Sequence, residues 1–218
     1  MTVAKLLLLA VVAIPTSAFA QAWTAPAGEG TVTVATQSVH GTGHIVSDGS
    51  LQKQGGSRNV SVYVELDYAF TDRLSVSAGI PYVFAKFVGP APPPILPMRP
   101  VDACLCWHSA LQDVGITARY NLVNDMVAVT PSISIGVPTH AYENVGEAVA
   151  GRGMKEARLA VDAGVRLDPV SPRLALQARY SYAIVEKVLG ISTNRSNAAA
   201  EVIFRISEAW AIRGSIDR

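Results

Sequence analysis

Residues 60–70 read VSVYVELDYAF, with an apolar or aromatic side chain at every even-numbered position. Successive side chains of a β-strand point to opposite faces, so this segment has an apolar face that ends in Tyr68 and Phe70. Its other face carries the carboxylates of Glu65 and Asp67. The same alternation recurs in later segments of about ten residues. The pattern predicts an all-β protein.

Nine segments show this alternation, and no helical pattern follows residue 20. Pro81 and Pro131 fall inside two of the segments. Proline has no N–H for the hydrogen bonds between strands, so we expect a β-bulge at each of these positions, or a strand register there that differs from the predicted one. The nine predicted strands cover approximately residues 31–39, 60–70, 74–84, 114–122, 127–137, 157–167, 174–182, 197–206 and 210–216.

The connections between these strands alternate strictly between short and long. Barrels in bacterial outer membranes have short periplasmic turns and longer external loops. The alternation therefore predicts which end of every strand lies at the periplasm. The short connections are residues 71–73, 124–125, 168–173 and 207–208, and the long ones are residues 40–58, 86–110, 139–154 and 186–195.

The first 20 residues have the features of an export signal: Lys5, an apolar run at 6–14, and the small residues of Ser-Ala-Phe-Ala ending at Ala20. We expect cleavage after Ala20, which leaves residues 21–218 as one barrel domain. The alternative, an uncleaved anchor, needs about 20 apolar residues. The 218-residue chain has a formal charge of +1, and removing Lys5 leaves 17 basic and 17 acidic residues. No basic excess indicates a nucleic acid as partner.

Aromatic residues on the apolar faces fall into two groups near the strand ends. Amphipathic rings gather at the two membrane interfaces, so these groups predict an antiparallel transmembrane β-barrel in the outer membrane. The alternative is a soluble sandwich or lipocalin-like barrel, in which the same rings would form the core. The periplasmic group is Tyr68, Phe70, Tyr120, Phe204 and Trp210, and the external group is Tyr82, Phe84, Tyr180 and Tyr182.

The predicted strand count is odd, whereas bacterial outer-membrane barrels have an even number of strands. The sequence stops at Arg218, after Ile216 and Asp217, without the aromatic residue that commonly ends the last strand. We therefore expect that at least one closing strand is missing at the C-terminal end, or that the region of residues 40–58 contains a further strand or part of one. An unpaired edge in lipid would leave costly unsatisfied backbone groups.

Charges of both signs fall on the polar faces, which would line the barrel lumen. They fit two interpretations: salt bridges between neighbouring strands, or a polar constriction that selects solutes. In the second, the excess of arginine would favour anionic groups such as aromatic carboxylates. The predicted inward charges are Glu65, Asp67, Arg119, Arg158, Asp162, Arg166, Arg179, Glu201, Arg205 and Arg213.

All four histidines fall at external strand ends or loops; the candidate metal ligands among them are His40, His108 and His140, with Cys104 and Cys106 in the longest loop. Imidazole and thiolate bind zinc or copper. However, C-x-C is not a usual zinc spacing and the histidines come from separate loops, so we predict neither a metal nor a cofactor. In an oxidising compartment the cysteines are expected to form a disulfide with each other or with another thiol.

Four further stretches carry a family resemblance. They are Ala22-Trp23, TDRLSVSAGIPYV at 71–83, LQDVGITARYNL at 111–122 and TPSISIGVPT at 130–139. Over most of residues 22–182 the chain resembles the MetA-pathway of phenol degradation family of outer-membrane transporters. The resemblance implies an uptake channel for hydrophobic or aromatic compounds, without defined catalytic residues. Relatives tend to have Gly-Leu-Gly-Asp where this chain has ALQD at 110–113.

The sequence therefore predicts an outer-membrane channel or transporter for small solutes, which are hydrophobic or aromatic if the resemblance holds. Its expected partners are outer-membrane lipid, the solute and the outer-membrane assembly machinery. One alternative is a structural or adhesive barrel without transport. The other is a barrel lipase or acyltransferase, but no nucleophile motif surrounds any serine, so we predict that the protein is not an enzyme.

Overall fold

The computed structural model describes residues 22–45, 51–52, 55–88, 106–141, 148, 151, 153–168, 170–207 and 210–218. The proposed signal peptide and Cys104 lie outside these residues. No helix that is long and apolar enough to cross a membrane occurs in the described ranges.

The described residues form thirteen β-strands. They are β1 (Gly30–Gly41), β2 (His44–Ile45), β3 (Leu51–Gln52), β4 (Gly56–Ala69), β5 (Leu74–Val88), β6 (His108–Leu111), β7 (Asp113–Tyr120), β8 (Val123–Asn124), β9 (Val127–Pro138), β10 (Glu156–Arg166), β11 (Leu174–Val185), β12 (Arg195–Arg205) and β13 (Ala211–Asp217).

Nine of these strands form one antiparallel meander in the order β1-β4-β5-β7-β9-β10-β11-β12-β13. The short strands β6 and β8 pair with β5 and β9, and β2 and β3 form a separate hairpin. The sheet is strongly curled into a half-barrel. The prediction of an all-β, antiparallel sheet is confirmed, and the nine long strands match the nine alternating segments. β4 begins four residues earlier than predicted and β5 ends four residues later, both at the same end of the sheet.

Short and long connections alternate in the structure as the sequence predicted. Short ones join β4 to β5, β8 to β9, β10 to β11 and β12 to β13. Long ones separate β1 from β4, β5 from β6, β9 from β10 and β11 from β12. We call the two ends of the sheet the turn end and the loop end.

Both strand prolines lie opposite a β-bulge, as predicted. Between the pairs Gly79↔Gly115 and Tyr82↔Leu111, two residues of β5 face three residues of the neighbouring chain. The carbonyl of Pro81 accepts a hydrogen bond from Gln112 N at 2.9 Å, so the ring nitrogen also points toward this irregular ladder. The same two-to-three mismatch lies beside Pro131, between the pairs Arg119↔Ser132 and Val123↔Val129. A residue without an N–H is tolerated where the ladder is already interrupted.

The two faces of the sheet differ sharply in character. On the outer face, large apolar side chains such as Leu66, Ile133 and Leu159 are more than half exposed. On the opposite inner face the buried side chains are of two kinds: small polar ones such as Ser75 and Ser77, and apolar ones such as Val83 and Phe87 toward the loop end. The large exposed apolar side chains of the outer face differ from the surface of a soluble barrel, which places its apolar face inside.

Candidate functional site

Six of the predicted inward charges lie close together on the inner face. Arg119 Nη2 is 3.3 Å from Asp67 Oδ2, across the intervening strand β5. Arg179 Nη1 is 3.6 Å from Asp162 Oδ1 on the adjacent strand. Asp162 is only 2 % exposed, so its carboxylate depends on this arginine for compensation. Glu65, Arg119, Arg158 and Arg179 together line one recess on this face.

Two charged residues that the sequence analysis missed complete this cluster. Glu156 accepts a hydrogen bond from Arg158 Nη2 at 2.6 Å through one carboxylate oxygen and pairs with Arg195 through the other. Glu156 stands two residues before Arg158, and Arg195 two residues before Asn197, so both continue the alternation that the sequence shows. The predicted strands begin at residues 157 and 197 and therefore exclude both of these charges at the loop end.

Tyr63 covers the inner face beside Glu65. Its hydroxyl donates to Glu65 Oε2 at 2.6 Å, and its ring lies over Gly79 in the neighbouring strand. A Cβ on Gly79 would collide with the Tyr63 hydroxyl and ring. The absence of a side chain on Gly79 therefore allows Tyr63 to lie flat and hold Glu65.

The remaining predicted charges lie outside this cluster. Arg166 is at the turn end, 3.9 Å from Asp125 and 3.7 Å from Asp168. Arg205 is also at the turn end, the last residue of β12. Glu201 accepts two hydrogen bonds from Arg213 on the edge strand β13, at 2.5 and 3.0 Å.

Residues 22–29, which we call the strap, cross the inner face at the turn end before β1 begins. The carbonyl of Ala22 accepts hydrogen bonds from Asn121 Nδ2 at 2.9 Å and Thr130 Oγ1 at 2.6 Å. The Ala22 amide donates to Gln177 Oε1 at 3.3 Å. Ala22 and Asn121 are fully buried. The start of the strap is therefore fastened to β9, to β11 and to the connection between β7 and β8.

The rest of the strap is fixed by an aromatic ring and by the β4–β5 turn. Trp23 packs against Ala175 and Ile203, and its indole N–H donates to the carbonyl of Asp125 at 3.0 Å. Its ring passes so close to Gly164 that any larger residue there would displace it. Asp72 accepts from Thr24 Oγ1 and from the amide of Ala27. The strap narrows the turn end of the inner space.

The inner space widens toward the loop end. There a cavity of about 720 Å³ is bordered by side chains including Gln37, Tyr63 and Arg195. This cavity shares Gly136 and Glu156 with the smaller recess of about 290 Å³ beside Arg119. The two volumes therefore adjoin, and charged side chains line the smaller one.

The predicted rim residues remain apart from this interior. His40 lies near the end of β1, His108 begins β6, and His140 follows β9, where its Nδ1 is 2.8 Å from Thr139 Oγ1. Cys106 is in a disulfide, and the only other cysteine of the sequence is Cys104. Within the described residues, no three His, Cys, Asp or Glu side chains are placed to hold a metal ion.

No protein-family model and no curated protein matches the sequence. The resemblance to the phenol-degradation transporters therefore stays a prediction from the motifs quoted above.

Proposed function

We propose that the chain forms the wall of an outer-membrane β-barrel that acts as a passive channel for small solutes. The observation that carries this proposal is the exposure of aromatic side chains on the outer face. All nine aromatic side chains of the two predicted belts are on it, and each is at least 37 % exposed. Rings of a soluble core would be buried, whereas rings at a lipid interface are expected on the outside.

The belts also have the expected geometry. Tyr68 and Phe70 stack edge to face at 4.9 Å near the turn end, and Tyr82 and Phe84 do so at 5.0 Å toward the loop end. Between the belts the outer face consists of aliphatic side chains such as Ile116, Ile133 and Leu159. Exposed apolar surface of this extent is unfavourable in water and favourable in lipid.

The inner face supports a solute path. It carries paired charges beside the recess, and it contains two adjoining cavities. Lipid requires that both edges of the sheet be paired. The proposal therefore requires partner strands for β1 and β13, whose outer edges have no neighbour among the described strands. The resemblance supports hydrophobic or aromatic compounds as the solutes.

The proposal is tested by refolding the full chain in detergent and reconstituting it in planar lipid bilayers. A channel gives discrete conductance steps in KCl, and a folded barrel migrates faster on gels when it is not boiled. A heat-modifiable barrel without conductance would favour the structural or adhesive alternative. A chain without the gel shift would contradict a barrel formed by this chain or by copies of it.

Neighbouring residues of β9 give a matched pair of variants. Ser134 is on the inner face and Ile133 on the outer face. Ser134→Trp should lower the conductance step because the indole enters the path, whereas Ile133→Trp should leave it unchanged. Equal effects of the two variants would contradict an inner solute path.

A further inference from the structure

Three glycines lie side by side on the inner face, one on each of three neighbouring strands. Gly79 pairs with Gly115, and Gly115 pairs with Gly136. The Tyr63 ring fills the space above Gly79, but the space above the other two is open: a Cβ on Gly115 or Gly136 would have no neighbour closer than 3.9 Å. The backbone of Gly115 and Gly136 therefore forms a flat surface without side chains, which we call the floor.

This floor is the base of the recess of about 290 Å³. Small hydroxyl side chains border it, and Thr117 and Ser134 hydrogen-bond to each other at 2.9 Å. The volume is close to the lower limit of small-molecule sites, about 300 Å³. The recess is thus suited to one small flat molecule.

The charges around the floor are not equally engaged. Glu65 is held by Tyr63, and both oxygens of Glu156 are taken by Arg158 and Arg195. Arg119 is held more loosely, because its contacts with Asp67 and Ser77 are both 3.3 Å and both use Nη2. Charge-assisted hydrogen bonds are typically about 2.7–2.9 Å, so the guanidinium fork retains capacity for a second carboxylate.

We propose that this recess binds a small, flat organic carboxylate. The carboxylate lies against the fork of Arg119, and the body of the molecule lies on the peptide floor at Gly115 and Gly136. Arg158 and Arg179 add positive charge to the same wall. The inference rests on the proposed function in one respect: the recess faces the solute path only if the chain forms a channel.

The test is calorimetric titration of the refolded full chain in detergent with benzoate, and with benzamide as the uncharged isostere. Benzoate should bind saturably, and benzamide at least about tenfold more weakly, since a bidentate charged contact is lost. Arg119→Lys keeps the charge beside Asp67 but removes the fork, so benzoate affinity should fall by about tenfold or more. Gly136→Val fills the floor and should abolish saturable binding.

Two controls match these variants outside the recess. Arg213→Lys changes another paired inner-face arginine, and Gly214→Val adds a side chain where nothing lies within 4 Å. Both should bind benzoate like the unmodified chain. The gel shift on unboiled samples shows whether each variant is folded; Arg119→Lys tests the site even if Gly136→Val does not fold.

Equal binding of benzoate and benzamide, or unchanged affinity in Arg119→Lys, would overturn the proposal. The outcome is separable from the channel experiment. Conductance in KCl without specific benzoate binding would reject the site and leave the channel. Arginine-dependent binding without conductance would support the site and reject the channel.

Discussion

At the scale of single residues, the shape of the inner face is set by its glycines as well as by its side chains. Gly79, Gly115 and Gly136 are aligned across three strands, yet only Gly79 is covered by a neighbouring ring. Glycine therefore has two roles here. At Gly79 it makes room for the Tyr63 ring, and at Gly115 and Gly136 it leaves open space.

Gly79→Ala should destabilise the fold by about 1–3 kcal/mol, because the new methyl group forces Tyr63 off its position and weakens its hydrogen bond to Glu65. Gly115→Ala, which meets nothing closer than 3.9 Å, should change stability by less than about 0.5 kcal/mol. Denaturant titration of the folded protein in lipid vesicles measures both. Equal losses would show that Tyr63 does not depend on this glycine.

At the scale of elements, the strap connects parts of the sheet that are far apart in sequence. Ala22 contacts Asn121, Thr130 and Gln177, which lie 99 to 155 residues away. A turn stabilises the following chain: Glu29 N donates to Pro26 O at 3.1 Å, and Gly28 has a φ of +85°, as the third residue of a type II turn requires.

Thr130→Val removes one of the two donors to the buried Ala22 carbonyl. We expect a loss of about 1–2 kcal/mol and faster amide exchange in residues 22–29, measured by hydrogen–deuterium exchange. Thr117→Val is the matched control, because the Thr117 hydroxyl bonds to Ser134 in the recess and does not contact the strap. Unchanged exchange in Thr130→Val would mean that this contact does not fasten the strap.

Trp23→Ala removes the ring that packs on Ala175 and Ile203 at the narrow turn end. If the interior is a solute path, the conductance step should increase because the strap no longer restricts that end. The control is Trp107→Ala, which changes an exposed tryptophan beside β6. A step of unchanged size in Trp23→Ala would show that the strap does not limit the flow of ions.

At the scale of the whole molecule, the two faces of the sheet differ in chemistry: the outer face exposes aliphatic and aromatic side chains, and the inner face carries the charged pairs. The proposed barrel needs partners for the edges of β1 and β13 that have no neighbour among the described strands.

Ile133→Arg, in the middle of β9 on the outer face, should cost about 2–4 kcal/mol in a bilayer. Val88→Arg, at the loop end beyond the Tyr82–Phe84 belt, should cost at most about 1 kcal/mol, because charge is tolerated near the interface. Unfolding free energies in lipid vesicles measure both. Small and equal costs would indicate a surface in water and contradict the membrane proposal.

The sequence by itself determined the period of two, the number of long strands, the alternation of short and long connections and the bulges at Pro81 and Pro131. These features are local. The direction of each side chain follows from the strand backbone, and a proline removes the N–H only at its own position. It also placed the charges on one face. Only the tertiary structure decided that Arg119 meets Asp67, that Glu156 joins Arg158 to Arg195, and that the strap lies inside. Those contacts depend on the register and curl of several strands together, which no single segment encodes.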